Sequence, residues 1–284
     1  MISIVIPAKN EATSLQNIIP LLREIKPDAE IILVNDGSTD TTQAVCSDAG
    51  VKCITHPYSM GNGAAIKSGA RAATGEILVF MDADGQHRPE EIQSLLNKLD
   101  EGYDMVVGAR SRSGQASIGR LAANSLYNKL ASWMTGHPVK DLTSGFRAVR
   151  ADKFREFLHL LPNGFSYPTT STMAFFRAGY AVTYVPIDVR QREGKSHINI
   201  WKDGVRFLLI IFKVGTLYSP LKLFIPISLL HGFIGISYYA YTFFTMGRFT
   251  NMSAMLLSSA VIIFLIGLIS EQITALLYQD KSRK

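Results

Sequence analysis

The sequence predicts an α/β domain with a mainly parallel sheet, followed by two helices that are long enough to span a membrane. Over residues 1–110, short apolar runs alternate with helix-like segments, which is the pattern of a parallel sheet with crossover helices. Two later stretches, 223–247 and 249–270, contain no Asp, Glu, Lys or Arg. Each supplies the ~20 residues that a helix needs to cross ~30 Å of hydrocarbon. The hydrophobic content of 47% and the mean hydropathy of +0.15 agree with a membrane-attached protein.

The first part of the chain supplies five predicted strands and four predicted helices. The strands are predicted at 2–6, 31–34, 51–55, 77–81 and 105–107. The helices between them are predicted at 14–25, 39–49, 63–73 and 89–99. Ligands of such sheets bind at the carboxyl ends of the strands, so the polar residues that follow the strands form the candidate site.

The later segments are predicted from their apolar spacing and turn residues. Residues 116–135 indicate another helix, 141–149 a loop that enters a strand, and 174–185 a helix end that turns at Gly179 into a last strand. Segment 199–213 mixes apolar and basic residues, which favours an amphipathic helix in the membrane interface. An ordinary surface helix packed on the domain is the alternative for this segment.

Basic residues on either side of the two apolar stretches predict how they cross the membrane. Four precede the first stretch and three follow the second: Lys202, Arg206, Lys213, Lys222, Lys281, Arg283 and Lys284. The connector carries only Arg248, so the positive-inside rule places both ends of the hairpin in the cytosol. The N-terminus lacks the basic leader and cleavage site of a signal peptide. We therefore expect a cytosolic domain at 1–198, an interfacial helix at 199–218 and a membrane hairpin at 219–284; a pair of buried core helices is the alternative to the hairpin.

Net charge and cysteine content restrict the partners and the compartment. The formal net charge of +6 favours attraction to anionic lipid headgroups and phosphates rather than to nucleic acid in a membrane-attached protein. The two cysteines, Cys46 and Cys53, match no metal-binding spacing and fit a reducing compartment. We expect both to be inert packing residues.

Two carboxylates and an amide follow the fourth predicted strand. In Asp82-Ala83-Asp84-Gly85-Gln86, the alternation of an extended segment places Asp82, Asp84 and Gln86 on one side. An all-oxygen set of this kind suits Mg²⁺ or Mn²⁺, and an open coordination set leaves room for a diphosphate. The alternative is a strand-end carboxylate pair that only caps a helix.

Three more polar or glycine-containing segments lie near predicted strand ends. Residues 7–11 are Pro-Ala-Lys-Asn-Glu and residues 35–40 are Asn-Asp-Gly-Ser-Thr-Asp. Asp36 could accept hydrogen bonds from a base or ribose, or the segment could be only a turn and a helix N-cap. Segment 61–69 has neither the Walker nor the dinucleotide spacing, so we expect its backbone to pass close to the site. Its Lys67 is either a phosphate ligand or a solvated helix lysine.

These motifs, together with Asp-Leu-Thr-Ser-Gly-Phe-Arg at 141–147, occur in an order that resembles the family 2 glycosyltransferases. The resemblance is strongest to the branch of dolichyl-phosphate mannose synthase and the bacterial polyprenyl-phosphate glycosyltransferases. It covers roughly residues 1–200, and the C-terminal hairpin is typical of the same branch. The resemblance implies a GT-A fold, a nucleotide-sugar donor and a polyprenyl-phosphate acceptor. The Gln-x-x-Arg-Trp signature of processive synthases does not occur, which favours transfer of a single sugar.

The resemblance also implies roles for individual residues. The nucleotide would be held by Pro7, Ala8, Asn10, Glu11, Asp36, Asp82 and Ala83. The cation, Mg²⁺ or Mn²⁺, would be bound by Asp84 and Gln86 with Asp82. The phosphates would be contacted by Arg110, Arg147, Arg190, Arg192 and Lys195, where either Arg190 or Arg192 is the arginine of the family's basic loop. The predicted catalytic residues are Asp84, Asp141 and Arg120, the last at the lipid phosphate.

The predicted chemistry depends mainly on electrostatics. A phosphate monoester has a second pKa of about 6, so the acceptor is largely a dianion at pH 7 and needs little general base. Asp141 would orient the sugar or acceptor, or would only fix Arg147 as an ion pair; Arg147 itself would contact phosphate or only brace its loop. Residues 165–171, Phe-Ser-Tyr-Pro-Thr-Thr-Ser, occupy a position where relatives often have an acidic residue. This difference concerns the identity and the orientation of the transferred sugar.

Two other functions are alternatives. The chain could transfer sugar to a protein or glycan acceptor with the hairpin as an anchor, or it could be a non-catalytic membrane scaffold. No nucleic-acid partner is expected, and the sequence leaves a homo-oligomer open.

Overall fold

The computed structural model describes residues 1–110, 118–164, 166–189, 212–213 and 215–278. The chain divides into two compact units, Met1–His197 and Ile198–Lys284. Each unit is described by itself. The interfacial helix predicted at 199–213 lies almost entirely outside the described residues.

The first unit is built on a seven-stranded sheet. Its strands are β1 (Ile2–Ala8), β2 (Glu30–Asn35), β3 (Lys52–Thr55), β4 (Ile77–Phe80), β5 (Met105–Arg110), β6 (Arg147–Arg150) and β7 (Val182–Ile187). Their order is β3-β2-β1-β4-β6-β5-β7, and β6 alone among them runs antiparallel to its neighbours. The predicted mixed, mainly parallel sheet is confirmed. All five strands predicted in the first 110 residues are present, with ends that differ by a few residues.

Seven helices accompany these strands in the described part of the first unit. They are α1 (Ala12–Ile25), α2 (Thr42–Asp48), α3 (Asn62–Ala72), α4 (Ile92–Asp100), α5 (Ile118–Thr135), α6 (Ala151–Glu156) and α7 (Tyr167–Arg177). In α4 the apolar residues recur every three or four positions, and Ile92, Leu95 and Leu99 are fully buried against the sheet. A 3₁₀ turn at Pro89–Glu91 precedes α4, so the helix predicted from residue 89 starts in that tighter form.

Sequence reasoning missed α6 and the first turns of α7, and it did not anticipate the direction of β6. Because β6 is antiparallel to β4 and β5, its first residue lies at the same edge of the sheet as their carboxyl ends. The loop before β6 therefore reaches the edge where ligands of parallel sheets bind.

The second unit contains two long apolar helices, α8 (Pro220–Met246) and α9 (Asn251–Leu277). Each has 27 residues, and their most apolar windows have mean hydropathies of 1.5 and 2.5. Only 6% and 17% of those windows are buried, so the side chains face outward instead of filling a protein core. This favours the predicted membrane hairpin over a pair of buried core helices.

Small residues allow α8 and α9 to pack closely. A Cβ at Gly267 would lie 2.6 Å from Cβ of Phe224, so only glycine fits there without a shift. Ser228 Oγ donates to the Ala260 carbonyl at 2.8 Å, which is an interhelical hydrogen bond of the kind that supports helix association in lipid.

Candidate active site

The polar motifs of the sequence meet at one edge of the sheet. Strands β1 to β4 are parallel, so the loops that follow them emerge on the same side. The antiparallel β6 brings its preceding loop to that side too. This edge therefore collects the loops 9–11, 36–41, 56–61, 81–88 and 141–146.

The Asp36 carboxylate fixes the loop after β3. It is 4% exposed, and its oxygens lie 2.7–2.9 Å from four donor atoms, on His56, Ser59, Met60 and Gly61. Although burial opposes ionisation, the bonds from these groups hold the pKa of the Asp36 carboxyl below its usual range. A carboxylate has about four acceptor positions, so Asp36 positions this loop and leaves no acceptor directed at a base or ribose.

Asn10 and Lys9 join the loop after β1 to its neighbours. Asn10 adopts φ +57°, a left-handed conformation that asparagine tolerates. Its N–H donates to Ser38 Oγ at 2.9 Å, and its Oδ1 accepts from Thr39 N–H at 2.8 Å. Lys9 Nζ donates to Ser59 Oγ at 3.0 Å. The loops after β1, β2 and β3 thus form one hydrogen-bonded surface, which we call the three-loop platform.

Five of the seven residues predicted to hold a nucleotide lie in this platform or at the end of β1 that leads into it. Pro7 and Ala8 are the last two residues of β1, and the Ala8 carbonyl accepts from Asp36 N–H at 2.9 Å. Glu11 follows in the same loop. Ala83 is buried between the two aspartates of the separate loop after β4.

The loop after β4 presents the two aspartates differently. Asp84 Oδ1 accepts from Gln86 N–H at 3.1 Å, across a turn in which Gly85 has φ +73°. The half-buried Asp82 carboxylate accepts no hydrogen bond from any residue of the described part. Burial raises the pKa of Asp82, and the nearby charge of Asp84 adds to the rise.

This loop has the donor chemistry of a divalent-cation site. Asp82, Asp84 and Gln86 offer carboxylate and amide oxygens, which Mg²⁺ and Mn²⁺ prefer, and both Asp82 oxygens are without a described donor. Among the described residues, no three His, Cys, Asp or Glu side chains form a ready-made metal cluster. Asp82, Asp84 and Gln86 thus fit a cation that takes its remaining ligands from water and from a bound diphosphate.

His87 contacts both the loop after β4 and Phe146. This residue was not singled out from the sequence. Its ring is stacked on Phe146, with centroids 5.0 Å apart and planes at 15°. Its Nδ1 accepts from Asp82 N–H at 3.4 Å. Burial lowers the pKa of the His87 ring, which favours the neutral form that can accept this bond. The one feature of the sequence that could have indicated a role for His87 is its position directly after Gln86.

Asp141 is paired with Arg110, and not with Arg147 as one alternative proposed. Arg110 Nε and Nη2 donate to the two carboxylate oxygens at 2.8 and 3.0 Å. Thr143 and Ser144 also donate backbone N–H groups to Asp141 at 3.1 Å. Burial alone would raise the pKa of the Asp141 carboxyl, but the Arg110 guanidinium holds it below its usual range.

Arg147 lies in the interior, contrary to the predicted contact with phosphate. It is 0% exposed, and its guanidinium donates to carbonyl and hydroxyl oxygens on two neighbouring segments. These acceptors are the carbonyls of Ser144 and Pro168 and the hydroxyls of Ser171 and Thr172. A phosphate in the site has no access to the described position of this guanidinium.

The glycine segment at the start of α3 packs against the backbone of the segment before α7, and Lys67 fits neither predicted alternative. A Cβ at Gly63 would lie 2.0 Å from the Pro162 carbonyl oxygen. Lys67 Nζ donates to the Leu161 carbonyl at 3.1 Å and to Asn163 Oδ1. Lys67 is half-buried, and its two bonds connect α3 to the segment before α7.

A small pocket of about 90 Å³ opens beside Asp82 at the start of α7. Its lining includes several polar side chains but a single acid: Asn62, Asp82, Thr143, Gly145, Ser166, Tyr167, Pro168 and Thr169. Ser166, the residue before α7, has φ +86°, which directs the chain sharply into the helix. The segment 166–169 is the one that departs from the expected acidic position.

The other predicted basic residues cannot be placed at the site. Arg120 belongs to α5, and its side chain is outside what the structure describes. Arg190, Arg192 and Lys195 lie outside the described residues. Their roles stay predictions.

Both units match known families. Residues 3–158 match the family described as glycosyl transferase family 2. Residues 219–276 match the family described as the GtrB C-terminal hairpin. The two matches fall on the sheet-containing unit and on α8 with α9.

Similar proteins include two whose names contain a polyprenyl lipid. An undecaprenyl-phosphate 4-deoxy-4-formamido-L-arabinose transferase of Enterobacter sp. (strain 638) is 36% identical over 168 residues, which are 56% of this chain and 51% of that protein. This chain thus spans about half the length of that relative. A polyprenol monophosphomannose synthase of Mycolicibacterium smegmatis is 29% identical over 209 residues, 67% of this chain and 77% of that protein.

Solved structures share the fold. Glucosyl-3-phosphoglycerate synthase from Mycobacterium tuberculosis, in complex with Mn²⁺ and UDP-glucose, is 25% identical with a TM-score of 0.57, over 74% of this chain and 76% of that chain. A complex of the synthase with Mg²⁺ and UDP has 24% identity and a TM-score of 0.56, over 74% and 79%. The first unit is therefore of the GT-A type that the resemblance implied.

Proposed function

This chain belongs to glycosyl transferase family 2, and from that premise we propose that it transfers a single sugar from a nucleotide-sugar donor to a polyprenyl phosphate. The transfer inverts the anomeric configuration, because the acceptor attacks from the face opposite the leaving diphosphate. The names of two relatives specify undecaprenyl phosphate and a polyprenol monophosphomannose product. The match of the second unit to the GtrB hairpin supports a membrane-embedded acceptor.

One observation carries the choice of acceptor: among the described residues, the pocket beside α7 has no carboxylate other than Asp82, which this proposal assigns to the cation. Asp141 is occupied by Arg110. A protein or glycan hydroxyl would need a base to remove its proton. A polyprenyl phosphate is already mostly a dianion at pH 7, since its second pKa is about 6. The site thus favours a phosphate acceptor over the protein or glycan alternative.

In this proposal the donor binds to the three-loop platform and to the loop after β4. The nucleotide lies on the three-loop platform, against Pro7, Ala8, Asn10 and Glu11, with Asp36 acting through the loop it fixes. Asp82, Asp84 and Gln86 hold the Mg²⁺ or Mn²⁺. The bound cation supplies charge neutralisation for the departing diphosphate. Complexes of a fold relative with Mn²⁺ or Mg²⁺ and a uridine nucleotide support this assignment.

Arginines orient the phosphates. Arg110 is held by Asp141 at the end of β5, which fixes the direction of a group that can donate to a phosphate. Arg120, Arg190, Arg192 and Lys195 are further candidates for the lipid phosphate and the diphosphate. Holding the phosphate oxygen in line with the anomeric carbon lowers the entropic part of the barrier.

The hairpin explains how the enzyme reaches its acceptor. Extracting a polyprenyl chain from the bilayer would cost ~0.8 kcal/mol for each buried CH₂, so the active site has to work at the headgroup plane. We assign residues 1–198 to a cytosolic catalytic domain, 199–218 to an interfacial helix and 219–284 to the membrane hairpin. The basic residues that flank the hairpin support the cytosolic side.

The test uses membranes that contain the full-length protein, labelled UDP- and GDP-hexoses, Mn²⁺ and added undecaprenyl phosphate. We expect label in the organic phase that depends on the lipid and is absent with Asp84→Ala. Label that enters protein or polysaccharide but not the organic phase would support the alternative acceptor. No transfer from any donor of the panel would contradict the proposal.

A further inference from the structure

Arg147 places a positive charge in the interior of the first unit without an acidic partner. No carboxylate of the described residues lies within ion-pair distance of its guanidinium, and its Nε has no hydrogen-bond partner. Nη1 donates to the Pro168 carbonyl at 3.0 Å, Ser171 Oγ at 2.7 Å and Thr172 Oγ1 at 3.2 Å. Nη2 donates to the Ser144 carbonyl.

Stability alone does not account for an arginine at this position. A buried charge is expensive to desolvate, and apolar residues of similar volume replace buried charges with little loss or even a gain in stability. The bonds of Arg147 indicate another purpose, because they connect two separate walls of the pocket beside Asp82. One wall is the segment 143–145, and the other is the first turn of α7.

The connection controls how closely the backbone approaches Asp82. A Cβ at Gly145 would lie 2.9 Å from Asp82 Oδ2, so this backbone is in direct contact with the carboxylate. Tyr167 Oη donates to the Gly145 carbonyl at 3.1 Å, and the Arg147 guanidinium lies 5.7 Å from the centroid of the Tyr167 ring. Arg147 and Tyr167 therefore hold adjacent peptide groups of the segment that faces Asp82.

We propose that Arg147 is a positioning residue for the transfer reaction. By bridging the Ser144 carbonyl to the first turn of α7, it sets the wall opposite Asp82 and so the place of the donor sugar. The inference rests on the proposed function. It assigns no contact with substrate to Arg147, and it leaves nucleotide binding on the three-loop platform unaffected. Displacement of reacting groups by about 1 Å costs on the order of 100-fold in rate.

The test compares Arg147→Met with Arg155→Met in the full-length protein in detergent. Arg155 is a matched control because it also donates to backbone carbonyls, those of Ala70 and Ala73, but away from the pocket. Measurements are the thermal midpoint, kcat for sugar-lipid formation, and the Kd values of the nucleoside diphosphate and of the nucleotide sugar. Arg147→Lys is the second variant. The lysine ammonium can donate to the acceptors of α7 or to the Ser144 carbonyl, but it cannot bridge the two as the guanidinium does.

For Arg147→Met we expect a folded protein, a kcat at least about 30-fold below wild type and a nucleoside diphosphate Kd within about twofold. The nucleotide sugar should lose at least about fivefold in affinity relative to the nucleoside diphosphate. Arg155→Met should keep the wild-type kcat per folded molecule. If Arg147→Met does not fold, Arg147→Lys is expected to show the same pattern with about a tenfold loss in kcat.

Three results would overturn the inference. The first is wild-type kcat in either folded Arg147 variant. The second is equal weakening of nucleoside diphosphate and nucleotide sugar, which indicates general disruption. The third is an equal loss of kcat in Arg155→Met. Failure of the wild type to form sugar lipid would instead count against the proposed function, and the ratio of the two Kd values would still test the role of Arg147.

Discussion

The Arg110 guanidinium donates two hydrogen bonds to the Asp141 carboxylate, from Nε at 2.8 Å and from Nη2 at 3.0 Å. The two residues are 31 positions apart in the sequence. They meet because Arg110 ends β5, whereas Asp141 belongs to the loop that enters the antiparallel β6. The pairing makes Asp141 a residue that orients an arginine, and it removes the best candidate for a general base.

Asp141→Asn should therefore impair catalysis without changing the nucleotide platform. The variant removes a charge from a largely buried pair, and Arg110 loses the group that fixes its direction. We expect kcat to fall by about 10- to 100-fold and stability to fall by about 2 kcal/mol, with little change in nucleoside diphosphate Kd. Steady-state kinetics and thermal unfolding of the full-length protein measure these effects.

The matched control is Asp104→Asn, because Asp104 also pairs with a basic residue, Lys153, outside the site. That variant should lose stability but retain kcat. A double variant with Arg110→Met should be no slower than the slower single variant, because the two groups act as a unit. Additive losses in rate would contradict the pairing as the basis of the effect.

Asp84→Ala should abolish metal-dependent turnover while the domain stays folded. The Asp84 carboxylate accepts one described hydrogen bond, from the Gln86 N–H at 3.1 Å, so its removal leaves few structural bonds unmade. The expected loss in kcat is at least about 1,000-fold, with a thermal midpoint close to that of the wild type. Titration with Mn²⁺ should stabilise the wild type and not the variant. The control is Asp48→Ala, because the Asp48 carboxylate is exposed and outside the site. Turnover of Asp84→Ala at the wild-type rate would contradict the assignment of Asp84 as a metal ligand.

Local patterns were enough to predict the sheet and the hairpin. Strands such as β1 and β4 are mainly apolar runs that are followed by polar residues. Uncharged apolar stretches of more than 20 residues are typical of membrane-spanning helices. The loops after β1, β2 and β4 could be placed at one edge for the same reason, since parallel strands share their direction. These features depend only on neighbouring residues.

Contacts between distant segments could not be predicted in this way. Arg147 follows a polar loop, so its sequence context favours a phosphate ligand. Its burial depends on the hydroxyl groups of Ser171 and Thr172, more than 20 residues later, which turn one face of α7 into a set of acceptors. Lys67 is similar, because its acceptors on Leu161 and Asn163 come from a segment that no local pattern places beside α3.

Asp36→Asn should weaken donor binding through the loop after β3. Asparagine replaces one acceptor oxygen of Asp36 by an NH₂ group, which is a donor. The groups that face it, including Met60 N–H and Gly61 N–H, are donors as well, so at least one buried hydrogen bond is lost. We expect the nucleoside diphosphate Kd to rise by about tenfold or more, with a loss of about 1–3 kcal/mol in stability. Calorimetric titration and thermal unfolding provide the measurement. Asp104→Asn is the control, because the Asp104 carboxylate also accepts a side-chain and a backbone bond, from Lys153 and Ala181, outside the platform. An unchanged Kd in Asp36→Asn would refute the role of this loop.

Glu30 should make the first unit sensitive to acid. It lies at the edge of the sheet opposite the site, where its carboxylate accepts from Ser3, Lys52 and Thr74. Burial opposes ionisation, but these bonds lower the pKa of Glu30 to about 2. A carboxyl whose folded-state pKa lies below its unfolded value stabilises the fold above the unfolded pKa of about 4.5, and that contribution is lost as the pH falls towards 2. The loss is on the order of 3 kcal/mol, which corresponds to roughly 10 °C in the thermal midpoint.

Glu30→Gln separates this titration from general acid denaturation. Glutamine keeps an acceptor oxygen for Ser3 and Thr74 but carries no charge, so the variant should be less stable than the wild type at pH 7. Because the wild type loses its advantage between about pH 4.5 and pH 2, the difference between the two midpoints should shrink steadily over that interval. Thermal unfolding of both proteins across this range measures the difference. A gap that stays constant from pH 7 to pH 2 would show that Glu30 does not titrate with the lowered pKa that its bonds to Ser3, Lys52 and Thr74 require.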